Sequence, residues 1–92
     1  ISGKRKARKL ALQALYQWLM SGSELHEIEA QFRVINNMDK VDVDYFCRIL
    51  HGVPAHVETL EARIAPFLDR EINGLNPIEL TVLRIGSFEL LY

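Results

Sequence analysis

From Lys9 to Met20 the chain reads KLALQALYQWLM, a run of good helix formers without glycine or proline, and it predicts a first helix. Leu10, Ala14 and Trp18 form one apolar stripe, with Leu12, Leu15 and Leu19 beside it. Only Gln13 and Gln17 look clearly solvent-facing, so this helix is expected to lie deep in a core. Ser21-Gly22-Ser23 ends it. Ser23 then offers an N-cap, with Glu24 and Glu27 in the favourable acidic first turn of a second, shorter helix. That helix would bury Leu25, Ile28 and Phe32.

After a polar connection from Asn36 to Lys40, apolar residues recur every three or four positions: Val43, Phe46, Leu50, Val53, Val57, Leu60 and Ile64. This is the clearest helical periodicity in the chain. Pro54 falls inside it, and an internal proline costs about 3 kcal/mol, so a bend or break is expected there. The stretch barely reaches three heptads and contains that proline, which favours core packing over a coiled coil. Pro66 and the segment Phe67 to Ile72 suggest a short helix or turn closed by Asn73-Gly74. Asn76-Pro77-Ile78-Glu79 places an N-cap residue, a proline and a glutamate where a helix start needs them. The final helix from Pro77 is apolar on almost every side and is expected to be central. It reaches Tyr92 without a capping signal, which suggests a fragment of a longer protein. The pattern as a whole predicts one all-α domain over residues 1–92.

Composition fits this picture. With 92 residues, 49% of them apolar and 25% charged, the chain is an ordinary globular sequence near the lower size limit for a self-sufficient core. Cys47 is the lone cysteine, so no internal disulfide can form, and a reducing, cytoplasmic setting is the expectation. No apolar run approaches the ~20 residues of a membrane span. Charge changes the picture more. Of eleven basic residues, five (Lys4, Arg5, Lys6, Arg8 and Lys9) fall within six positions, giving an N-terminal arm at residues 3–9 of about +5 against about −6 for the remainder. Such asymmetry points to a polyanion at one end of the molecule.

The sequence signatures of enzymes are missing. There is no glycine-rich phosphate loop, no G-x-S-x-G, no H-E-x-x-H and no cysteine pair. His51 and His56 fall on different sides of a helix and His26 stands apart, so no metal site and no cofactor are expected. Cys47 beside Phe46 reads as a packed thiol. The basic run could be a solvated face or a frayed tail. If it forms the first turns of a helix, however, its charge opposes the macrodipole, so stability does not explain it, whereas phosphate binding does. Tyr16 is the best aromatic candidate for stacking on a base, although an aromatic in so apolar a helix commonly serves the core. A capping box alone accounts for Glu79. Arg84 and Glu89, charges in an apolar helix, should be paired internally.

Four blocks together, RKLALQALYQW (8–18), DVDYF (42–46), LHGV (50–53) and ELTVLRIGSFEL (79–90), resemble the NusB family of bacterial transcription antitermination factors. The resemblance covers essentially the whole chain and implies a NusB-like helical bundle whose further C-terminal helices are missing. It also implies a non-enzymatic role: binding the boxA element of nascent ribosomal RNA transcripts together with the ribosomal protein NusE, within the RNA polymerase antitermination complex. Carried over by position, Lys4, Arg5, Lys6, Arg8, Lys9 and Tyr16 would contact RNA, and Glu79 would meet the partner protein. A homodimer is a further possibility. The arm mixes lysine with arginine where the family favours arginine, which implies fewer bidentate contacts. The alternative is a NusB-like N-terminal domain of an RNA cytosine methyltransferase, with catalysis in downstream sequence.

Overall fold

The computed structural model describes residues 2–68 and 74–92. Among these, five α-helices and one short 3-10 turn make an all-α architecture: α1 Ser2–Ser21, α2 Leu25–Ile35, α3 Val43–Ala55, α4 Val57–Ile64, the turn Ala65–Phe67, and α5 Pro77–Leu91. Of the segment expected to form a short helix or turn near Pro66, residues 69–73 lie outside the described residues.

The basic arm is the first part of α1. Its charges sit at the positive end of the macrodipole, with no acidic residue in the first turn, so local electrostatics oppose the helix. Tertiary burial offsets this. Ala7, Ala11 and Ala14 are fully buried, with Leu15 beside them, and α1 makes its most extensive packing against α3. The buried line is therefore made of small residues, while Leu10, Leu12 and Trp18 pack at its edges. Alanine at the contact lets two helices approach closely, and for that reason the larger side chains flank the seam rather than fill it. Gln13 is exposed, and Gln17 donates to Gln31 of α2 at 3.0 Å.

Gly22, at φ +71°, closes α1 in the left-handed region. The expected Ser23 cap does not form. The N-cap of α2 is Glu24, without a side-chain bond, because Ser23 is taken up by Ser21, whose hydroxyl bonds both the Ser23 hydroxyl and its amide. Ile28 is fully buried, and Leu25 and Phe32 pack partly against the core.

Asp42 caps α3 by accepting from the Tyr45 amide at 3.0 Å. The break expected at Pro54 falls just after it. The proline is accommodated in the last turn of α3, and the chain bends at His56 before α4. The capping box of α5 is complete, with Asn76 Oδ1 accepting from the Glu79 amide at 2.8 Å and Glu79 Oε1 accepting from the Asn76 amide at 3.3 Å. Helix α5 buries one face only, through Thr81, Arg84, Ile85 and Phe88. Ile78, Val82 and Leu90 remain at least half exposed, because α1, α3 and α4 cover a single side of it. Arg84 pairs with Glu61 of α4 at 2.5 Å, the internal pairing its apolar surroundings require.

Four contacts fix helix directions. Gly3 meets Asp42 at one end of α1 and α3, while Trp18 shares a depression with Pro54 and His56 at the other, so α1 and α3 run parallel. Gly52 lies against Phe88 and Arg48 bonds the Tyr92 carbonyl, so α5 runs antiparallel to both.

Candidate nucleic-acid interface

Successive helical residues are rotated by about 100°, which places Arg5, Lys9 and Tyr16 along one line of α1 with Gln13 and Lys6 beside it. All five are exposed, opposite the buried alanines. Lys6 and Lys9 border a shallow depression completed by Leu10, Gln13, Asn36, Asn37 and Val41. On the other flank, Arg5, Arg8 and Lys9 rim a more apolar groove floored by Leu12, Val82, Ile85 and Gly86. The surface thus offers phosphate-binding cations, amide groups able to bond base edges, and one aromatic ring.

The five cations are not equivalent. Arg8 is clamped side-on by Glu89 of α5: its Nε lies 3.1 and 2.9 Å from the two carboxylate oxygens and its Nη2 2.8 Å from Oε2. Tyr45 of α3 donates its hydroxyl to the same carboxylate, and Lys4 Nζ stands 5.3 Å from the Tyr45 ring centroid. Arg8 and Lys4 are therefore tied to the body of the fold. The hydrogen bond and charge of Glu89 raise the Arg8 pKa further above its ordinary value.

Tyr16, 37% exposed, lies about 10 Å along α1 from Lys9. Glu79 is ten residues before Glu89 on the antiparallel α5, about 15 Å toward the Tyr16 end of α1. The structure thus groups Lys4 to Lys9, and sets Tyr16 and Glu79 toward the opposite end of the α1–α5 pair. Sequence reasoning missed Tyr45 as a member of this surface. Glu89 was visible as a charge needing a partner, but nothing local identified that partner as Arg8.

A second ionic cluster joins α2 to α3. Glu29 takes His51 Nε2 at 2.6 Å and Arg33 Nε at 3.1 Å, and Arg33 also reaches the Cys47 sulfur. No group of three or more metal-ligating side chains occurs among the described residues. Burial pushes the Cys47 thiol up despite the neighbouring Arg33, so it is mostly protonated at neutral pH.

Both bridging carboxyls sit below their ordinary value of 4.5. For Glu29 the hydrogen bond to His51 is the chief cause. For Glu89 burial is the largest single influence and acts upward, but Arg8 and Tyr45 together outweigh it. Carboxyls depressed in the folded state add stability that is complete above their unfolded pKa and is lost as pH falls through the folded value. The melting temperature is therefore expected to be level above about pH 5.5 and to fall with acidification below about pH 4.5. Glu89→Gln should flatten that fall in thermal melts across the range, and parallel curves for variant and wild type would remove this cluster as its source.

These features define a small all-helical protein with a cationic helix face and no described helix long and apolar enough to cross a membrane. The NusB family matches over residues 5–92. Transcription antitermination protein NusB of Legionella pneumophila strain Corby is 78% identical over 92 residues, covering all of this chain and 63% of that protein. The protein of the same name from Idiomarina loihiensis is 52% identical over 89 residues, covering 97% and 64% respectively, and that of Pseudomonas fluorescens is 52% identical over 88, covering 96% and 53%. The chain belongs to the NusB family and spans less than two thirds of the length of these relatives.

Proposed function

We propose that this chain acts in transcription antitermination by binding boxA-type RNA in nascent ribosomal RNA transcripts, through the exposed face of α1 and jointly with the ribosomal protein NusE. It serves the RNA polymerase antitermination complex in the cytoplasm and catalyses no reaction. The observation that carries this reading is the placement of Arg5, Lys6 and Lys9 on one exposed helical face, beside Gln13, Asn36 and Asn37, in a chain whose curated relatives are named for antitermination. The cations supply affinity without sequence information, and the amides and Tyr16 supply groups that can read unstacked bases. Glu79, exposed toward the other end of the α1–α5 pair, is assigned to the protein partner.

Fluorescence anisotropy with a boxA-type RNA and a scrambled control, with and without NusE, tests the proposal. Preference for boxA that strengthens when NusE is added supports it. Equal binding of both RNAs, unchanged by NusE, would reduce the surface to a general polyanion site.

A further inference from the structure

Two residues outside the cationic face converge on it from different helices. Tyr45 reaches Lys4 with its ring and Glu89 with its hydroxyl, and Glu89 clamps Arg8. We infer that Tyr45 and Glu89 are positioning residues of the RNA-binding face, holding Lys4 and Arg8 in preset orientations for phosphate. The inference rests on the RNA-binding reading above.

The clamp geometry supports positioning over simple neutralisation. Glu89 takes the Nε and Nη2 side of the guanidinium, which leaves Nη1 outside the clamp. The remaining N–H groups of the fork can donate to a phosphate oxygen while the carboxylate stays in place. Exposure agrees, since the Arg8 side chain is 49% accessible and that of Glu89 only 21%. A phosphate arriving from solvent meets the cation first. An unanchored arginine would surrender its rotamer freedom on binding, whereas here that loss has already occurred in folding. The ring of Tyr45 restrains the Lys4 ammonium in the same way, at cation–π distance. Three helices thus define the position of charges borne by one.

The test compares the full chain with Tyr45→Phe, Glu89→Gln, Arg8→Ala and the double variant Tyr45→Phe/Arg8→Ala, measuring boxA-type RNA binding across a salt series. Tyr45→Phe keeps the ring and alters no charge, so it should weaken binding about three- to tenfold with the salt slope unchanged. It should weaken nothing further once Arg8 is absent, as expected for residues acting through one another. Glu89→Gln should weaken binding similarly. Unchanged affinity for Tyr45→Phe, a full additional loss in the double variant, or tighter binding by Glu89→Gln would each overturn the inference, the last by making the carboxylate a competitor of RNA. Arginine Nε–H resonances recorded without RNA separate this inference from the function it rests on. A slowly exchanging Arg8 signal in the wild type, lost in Tyr45→Phe and Glu89→Gln, supports positioning even if RNA binding fails. Identical signals in all three chains overturn it even if RNA binds.

Discussion

Replacing Arg5, Lys6 and Lys9 together by alanine should lower RNA affinity about a hundredfold near physiological salt, and reduce the slope of log affinity against log salt by about 2. Each phosphate contact to a single strand releases about 0.7 of a counterion, and these three side chains are exposed on one face of α1. Arg8 and Lys4 are left in place because their contacts with Glu89 and Tyr45 also serve the fold. Stability should not suffer. Alanine is the better helix former, and removing positive charge from a helix N-terminus relieves its conflict with the macrodipole. The expected result is a weakly binding variant whose melting temperature equals or slightly exceeds that of the parent. Undiminished affinity in a folded variant would take the RNA site off the Arg5, Lys6 and Lys9 line of α1.

The second large effect concerns two helical glycines of opposite sign. A Cβ at Gly52 would stand 2.4 and 2.5 Å from the Cζ and Cε1 atoms of Phe88, whose ring is buried between α3 and α5 and only 5% exposed. Helix propensity favours alanine by about 1 kcal/mol, but overlap of this depth forces the ring or a helix to move, at up to about 3 kcal/mol. Gly52→Ala should therefore lose about 2 kcal/mol, lowering the melting temperature by about 8–16 °C for a domain of this size. At Gly86 a Cβ would meet nothing within 4 Å. Gly86→Ala should keep the propensity gain and raise the melting temperature by about 4–8 °C. Thermal denaturation followed by circular dichroism decides both, and a stabilised Gly52→Ala would show that α3 and α5 can separate without cost.

What the sequence made legible was local. The capping box at Asn76 and the bend after Pro54 depend on neighbours within four residues, and both formed near the expected positions. The cation cluster was equally visible, as a run in the chain. Features set by packing were not. Whether the basic run is helix or tail turns on the burial of Ala7 in the core, and that burial has no signature near Ala7. The side exposure of α5 follows from which helices flank it, so a residue as apolar as Val82 can stand half exposed. The Ser23 cap failed for a local reason that propensity rules do not weigh, since the Ser21 hydroxyl had already engaged both the hydroxyl and the amide of Ser23. The pairing of Arg8 with Glu89 spans 81 positions and depends on the register of two antiparallel helices. A charge count sees five equal cations, and the fold makes them unequal.

The bond from the Asp42 amide to the Gly3 carbonyl, 3.1 Å long, fastens the entrance of α3 to the first turn of α1. That turn lacks an acidic residue of its own, and helix ends open more readily than helix middles. Solvent exchange at the Asp42 amide therefore gauges how much of the time the cationic turn is docked. Because a ligand that favours the docked form must slow that exchange, one backbone proton, remote in sequence from the cations of α1, can report occupancy of the face those cations create.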